Sequence, residues 1–414
     1  MSSLSDARTS VKSSSYPSSR EREPLFGFLS GKLVGMSWAH LLNDGAANYL
    51  PGILPALLVN LHQPVSMAGA FMGALIIVQS LQPLTGHIAD RMGGKALVLA
   101  GFTLSVTGGA LLGFSPNIAS VIAILAMIGI GNTLFHPQSL AAVRGLPGER
   151  TGARMSFFLI GGETGRGIWP SLTSYLVVHF GMPSLWLTAI PAALTFPLLV
   201  RSTPSLPKRE ENSARIDWRR KARPLSALVI FGTVRSFSIY GSVTFIPIIW
   251  HLEGGSLVAG ASIITTLLVV GIIGNFAGGH IADRFGYHVP LTVAALLGGA
   301  LIALVPSAGF GWPLWVVAGA IGIALFSTMP MLVLVGQHVF EESRALGSGV
   351  AIGASNALGA IALFCVSLLA ERFGVPALLY LVGAASMLTL VAAALLPREG
   401  RHSSGGMTNA RTQS

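Results

Sequence analysis

The chain has 414 residues, 52% of them hydrophobic and only 10% charged, with a formal net charge of +10 and a mean hydropathy of +0.68. Soluble domains carry about 25% charged residues, so this composition excludes a soluble globular protein and points to one that crosses a membrane many times. The basic residues lie mostly between apolar runs, which makes them a topology signal and not a sign of nucleic-acid binding.

Residues 1–30 are Ser-rich and polar, without the apolar segment of a cleavable signal, and are expected to form a disordered cytoplasmic tail. Twelve apolar runs follow, at approximately 32–59, 66–86, 96–114, 118–143, 154–179, 183–200, 225–250, 257–280, 289–306, 312–337, 346–370 and 375–396. About twenty residues span a bilayer core, and only helices or closed barrels satisfy their own backbone in lipid. Runs of this length are helices. The expected fold is an all-α membrane protein with twelve transmembrane helices.

The first run holds His40-Leu41-Leu42-Asn43-Asp44 near its middle. Spacings of three and four place His40, Asn43 and Asp44 on one helix face. An ionisable group at that depth costs at least ~2.5 kcal/mol on insertion scales, so the face must look into protein or a water-filled cavity. Pro51 and Pro55 are expected to bend the far end of this helix.

Farther along, the fourth run carries Asn132, His136 and Gln138, the fifth Glu163 and Arg166, and the seventh Arg235. The segments before residue 33 and at 87–95, 144–154, 201–224 and 398–414 are basic, whereas the alternate loops hold one arginine, Arg372. Both termini are therefore expected on the cytoplasmic side of a plasma (cell inner) membrane. The 201–224 stretch is the longest polar interruption and divides the chain into halves at 31–200 and 225–397, with a polar tail at 398–414. The halves repeat: Gly86-His87-Ile88-Ala89-Asp90-Arg91-Met92-Gly93 recurs 193 residues later as Gly279-His280-Ile281-Ala282-Asp283-Arg284-Phe285-Gly286. Two similar six-helix halves in the same orientation are the parallel repeats of an alternating-access transporter.

On these motifs the chain resembles a major facilitator superfamily transporter over residues 31–397. The Gly-x-x-x-Asp-Arg-x-Gly loop, present in both halves of a twelve-helix pattern, carries that resemblance. It implies two pseudo-symmetric six-helix bundles around a central cavity lined by helices one, four, seven and ten, with helices three, six, nine and twelve outermost. As bounded above, those four outer helices contain no Asp, Glu, Lys, Arg or His. Two further strings, His40-Leu-Leu-Asn43-Asp44 and Phe135-His136-Pro137-Gln138, together with Gln82-Pro83 and Gly161-Gly162, resemble the fosmidomycin-resistance branch of proton-driven drug exporters. This chain departs from that branch at Gln138, where the branch carries a carboxylate, and in having Glu163 and Arg166.

Asp44 is the first candidate for a proton-coupling carboxylate, with Glu163 the second. Burial and neighbouring cations act on such a group in opposite senses, so changing hydration can load and release a proton. The competing reading of Asp44 is a permanent ion pair with a neighbouring helix. His40 and His136 are expected at similar depth, where they bind an anionic group or relay protons, or else bond backbone carbonyls and tighten packing. Glu163 and Arg166, three residues apart, can pair on one face. Arg235 is too deep to snorkel easily; it faces Asp44 across the bundles or binds an anion. His40, Asn43, Asn132, His136, Gln138, Arg166 and Arg235 are the candidate cavity residues. Gly86, Asp90, Arg91, Gly93, Gly279, Asp283, Arg284 and Gly286 are candidates for gating, each aspartate following a helix at the membrane surface.

No phosphate loop, dinucleotide fingerprint or His-Glu-x-x-His motif is present, so neither an enzyme nor a cofactor is indicated. One cysteine, Cys365, gives no disulfide framework and no cysteine metal site, and no metal is expected. The function read from the sequence is a secondary active transporter, a proton-coupled antiporter for efflux of a small anionic or amphipathic compound of the drug-resistance kind. An importer of a small organic acid or other nutrient is the rival, and a non-transporting sensor or scaffold the second. The expected partners are a small-molecule substrate, protons and the lipid bilayer, with no nucleic acid; a monomer is expected.

Overall fold

A computed structural model describes residues 29–82, 94–147, 151–204, 218–286, 288–340 and 349–395. Among the described residues the chain is helical throughout, without a strand. The helices are α1 (Gly31–Asn48), α2 (Leu50–Asn60), α3 (Met67–Gln79), α4 (Gly94–Leu111), α5 (Ile118–Arg144), α6 (Thr151–Phe180) and α7 (Ala189–Ser202). They continue as α8 (Trp218–Leu252), α9 (Leu257–Phe285), α10 (His288–Leu304), α11 (Pro313–Phe326), α12 (Met329–Val339), α13 (Ser355–Ser367), α14 (Ala370–Met387) and α15 (Thr389–Leu395).

Helix lies within each of the twelve expected runs. Among the described residues eight segments are long and apolar enough to cross a membrane; Met67–Gln79 and Leu291–Ser307 are apolar but shorter. The helices α1 and α6 fall outside those eight because they carry His40, Asn43 and Asp44, and Glu163 and Arg166. The first, second, fifth and ninth crossings therefore rest on the sequence pattern. Position in the fold follows composition: the segment Met182–Ser202 buries 28% of its most apolar window, against 72% for Arg219–Leu252. The sixth crossing is thus peripheral and the seventh central. The helix α8 begins at Trp218, inside the stretch expected to be linker, where Lys221 donates to Val339 O at 2.6 Å and lies over the Phe340 ring.

The expected bend of the first crossing is a break at Tyr49, between α1 and α2. Pro51 has no N–H to give the Ala47 carbonyl four residues back. Gln79 Nε2 of α3 donates to that carbonyl instead, at 3.2 Å. The same break lets Tyr49 donate its hydroxyl to Gly109 O of α4 at 2.5 Å.

Packing within the first bundle depends on close approach of α1 and α6. A Cβ on Gly161 would fall 2.4 Å from Ser37 O, and one on Gly165 would fall 2.0 Å from Leu41 O. Without a hydrophobic drive between helices in lipid, such small residues set the contact distance. The two bundles meet through α6 against α9 and α3 against α13, pairs that the repeat exchanges. The bonds across this seam named next lie toward the side that the chain reaches after its first crossing, opposite Gly31 and here called the far side. Ser171 and Thr265 hydroxyls are 2.6 Å apart, and Ser66 N–H donates to Glu371 Oε1 at 2.9 Å.

Candidate functional site

Three helices of the first bundle bring their polar residues to one point. His40, Asn43 and Asp44 of α1 are 3%, 0% and 1% exposed, as the one-face spacing requires. Gly162 of α6 leaves the space that the His40 ring fills: a Cβ there would lie 2.3 Å from His40 Nε2. The ring stacks on Phe158 at 4.1 Å between centroids. In α5, Pro137 removes a backbone donor beside His136, and the His136 ring folds back onto its own helix.

The distances define a compact cluster. His136 Nε2 is 3.2 Å from Asp44 Oδ1, and His40 Nε2 is 3.5 Å from Asp44 Oδ2. The two Nε2 atoms are 3.3 Å apart. Arg166 Nη2 reaches Asp44 Oδ2 at 3.2 Å, while its Nη1 is 3.3 Å from Glu163 Oε1. Asn43 Nδ2 donates to Asp44 Oδ1 at 3.2 Å.

Hydrogen-bond partners assign the tautomers. His40 Nδ1 lies 2.8 Å from Phe158 O and His136 Nδ1 lies 3.1 Å from Asn132 O. Carbonyl oxygens only accept, so both Nδ1 atoms carry hydrogen. A neutral imidazole has one N–H, which leaves both Nε2 atoms as acceptors facing a carboxylate. Three acceptors at this separation repel unless a proton lies between them.

Some polar atoms around it have no partner. Asn43 Oδ1, Arg166 Nε and Trp169 Nε1 are buried without a hydrogen bond. Such groups are rare in folded proteins and call for an explanation, such as a ligand or water. Arg166 and Glu163 keep 31% and 24% of their side-chain surface, so the cluster opens on that side.

The other expected residues are placed as follows. Asn132 enters through its backbone carbonyl, and its side chain is buried with that of Gln138. Among the described residues no ion pair joins Arg235 to Asp44. Arg235 lies among α8, α11 and the Thr328 turn, donating from Nε to Thr328 Oγ1 at 2.6 Å and to Leu325 O at 3.2 Å, with the Phe326 ring beside its guanidinium. A hydroxyl and a carbonyl within reach hold the charge inside the second bundle, whereas Arg166 is the cation on Asp44. Gly86, Asp90, Arg91 and Gly93 lie outside the described residues. In the second copy Gly279 and Asp283 fall within α9 rather than after it. The helix ends at Gly286, whose φ of +74° takes the left-handed region that glycine favours. Arg284 is exposed and lies over the Phe285 ring.

Phe158, Thr328 and Trp169 were not legible as site residues. Phe158 acts through its ring and a backbone oxygen and Thr328 through a bond to Arg235, and neither leaves a mark on spacing. Trp169 sits three residues after Arg166, on its face of α6. That spacing was the available signal.

Comparison with known proteins adds family information. The sequence profile of the Major Facilitator Superfamily matches residues 36–363. A Bacillus subtilis protein named "Uncharacterized MFS-type transporter YfnC" is 26% identical over 360 residues, covering 83% of this chain and 87% of that one. The fosmidomycin resistance protein of Escherichia coli is 22% identical over 355 residues, with the same coverages of 83% and 87%. A crystallised mutant of the nucleoside transporter NupG superposes with a TM-score of 0.76 at 12% identity, over 88% of this chain and 100% of that one, a likeness of fold.

Proposed function

The chain belongs to the Major Facilitator Superfamily of multi-pass membrane transporters, and from that premise we propose that it exports a small anionic or amphipathic compound in exchange for protons. The observation that carries the reading is the Asp44 carboxylate, 1% exposed, set against His136, His40 and Arg166 at 3.2–3.5 Å. Intramembrane ionisable residues mark ion and substrate pathways by default. The name of the Escherichia coli relative supports the export direction.

In this reading Asp44 is the proton-coupling group, with His40 and His136 sharing its proton and Glu163 holding Arg166. A substrate that donates an N–H or O–H to Asp44 and Asn43 Oδ1 takes the acceptors the proton otherwise uses. Proton and substrate then exclude each other, which is the condition for exchange. An anionic group on the same substrate rests on the unpartnered Arg166 Nε. The six-helix bundles, at 31–200 and 225–397 with the 201–224 segment between them, rock about this point. The Gly86–Gly93 and Gly279–Gly286 segments latch the side that carries the termini, which is cytoplasmic. The transporter acts as a monomer in the cell inner membrane.

One observation favours the rival importer. Arg166 is shared between Asp44 and Glu163. Protonating Asp44 frees Arg166 for an anion, and proton and anion then load together.

The sign of the pH effect on binding separates the two. Fosmidomycin and a small panel of phosphonates and organic acids are titrated onto purified protein at several pH values, and their flux is followed in proteoliposomes under an imposed pH gradient. Exchange predicts affinity that weakens as pH falls, with efflux against inward proton flow. Affinity that strengthens as pH falls, with substrate following the proton, replaces the exporter by the importer.

A further inference from the structure

We propose that His40, Asp44 and His136 bind one divalent first-row transition-metal ion of the Zn2+ class. The sequence offered no such site, because the two histidines are 96 residues apart and no compact ligand motif joins them. The fold brings the ligand atoms of all three within 4.8 Å of one another.

The geometry fits the ion. Tetrahedral Zn2+ with bonds of about 2.0–2.2 Å separates its ligand atoms by about 3.3–3.6 Å. The contacts here are 3.3 Å between the Nε2 atoms, 3.2 Å from His136 Nε2 to Asp44 Oδ1 and 3.5 Å from His40 Nε2 to Asp44 Oδ2, so each imidazole faces a different oxygen of one carboxylate. Small shifts would close them on an ion and leave a fourth position for water. Two imidazole nitrogens and one carboxylate suit Zn2+ and its neighbours, whereas Mg2+ and Ca2+ take shells of oxygen.

The surroundings are those of a metal site. Histidine ligands commonly donate their other ring N–H to a backbone carbonyl or carboxylate, which fixes the tautomer with the lone pair toward the ion. Both histidines do this, to Phe158 O and Asn132 O. Asp44 can give Oδ1 to the ion while Arg166 and Asn43 hold the carboxylate in place. Arg166 does not repel the ion unopposed, because Glu163 partners it. Asp44, Glu163 and Arg166 together leave one net negative charge. His136, with 15% of its side chain accessible, and Arg166 lie on the open side by which an ion enters. An ion here occupies the acceptors a proton would share, so it also stops transport. The binding itself does not rest on the transport reading, since it is measured at equilibrium without a gradient.

The test uses the full chain, purified in detergent and stripped of metal, then titrated with Zn2+ against a chromophoric chelator and with Co2+ as an absorption probe. One ion per chain is expected, with the intense visible bands of tetrahedral Co2+. Affinity should fall at least ~10-fold in His136→Gln and in Asp44→Asn, and stay unchanged in His62→Gln on a far-side loop. X-ray absorption of the Zn2+-loaded unmodified protein reads the ligand shell directly, whether or not the variants fold, and should show two imidazoles. Absence of a stoichiometric ion, a shell with fewer than two imidazoles, or unchanged affinity in a folded His136→Gln would overturn the proposal.

Discussion

Arg166 Nη2 lies 3.2 Å from Asp44 Oδ2, and through that contact α6 supplies the cation that makes a fully buried carboxylate on α1 tolerable. Removing one partner of a buried pair is costlier than removing both, because the remaining charge is stranded. Arg166→Ala is expected to lower stability by about 2 kcal/mol, below the usual range for a buried pair because Arg166 is partly exposed. Arg166→Ala combined with Asp44→Asn should regain most of that loss without regaining transport. Thermal unfolding in detergent, with the double-mutant comparison, reads this. A double-variant loss equal to the sum of the two single-variant losses would mean that the pair is not coupled.

The crossing of α1 and α6 makes a second prediction. A Cβ on Gly165 would sit 2.0 Å from Leu41 O, a backbone atom that cannot turn aside. Gly165→Val should force the helices apart, cost at least about 1–3 kcal/mol and reduce the folded yield, whereas Gly31→Ala, with open space around it, should be neutral. Monodispersity and melting temperature after purification give the comparison.

Across the seam between bundles, Ser171 and Thr265 hydroxyls are 2.6 Å apart on the far side. In a chain whose Cys365 has first been changed to serine, Ser171→Cys with Thr265→Cys should cross-link under mild oxidation. Transport should stop, and a reductant should restore it. A cross-linked protein that still transports would show that this seam does not open during the cycle.

Gln79 replaces the backbone donor that Pro51 lacks, by bonding the Ala47 carbonyl. Gln79→Leu should leave that carbonyl unpaired and cost about 1–2 kcal/mol. Gln79→Leu in a chain that also carries Pro51→Ala, where the backbone N–H is returned, should cost less. The difference between the two, measured by unfolding, isolates the bond.

Much of this architecture could be read in the sequence because lipid imposes strict rules. Apolar length gave the crossings, and helical spacing put His40, Asn43 and Asp44 on one face. The Glu163–Arg166 pair followed from local spacing, and the bend near Pro51 from the chemistry of proline. What could not be read was which distant side chain answers which. Arg166 and Arg235 are both deep arginines on inner helices, and sequence could not decide which one reaches Asp44. The choice depends on the α1–α6 approach through Gly161 and Gly165, and on Thr328 being placed to hold Arg235. The three-ligand cluster was hidden for the same reason: its members are ordinary residues until the helices meet.

Asp44 is proposed above to carry the proton that drives transport. The most direct test of that role is proton movement recorded by a pH-sensitive dye inside proteoliposomes when a transported compound is added, for the unmodified chain and for Asp44→Asn. Substrate-dependent proton flux is expected in the first, and none above background in the second, while the variant still exchanges labelled substrate across the membrane with no gradient. Undiminished proton flux in a folded Asp44→Asn would contradict that role.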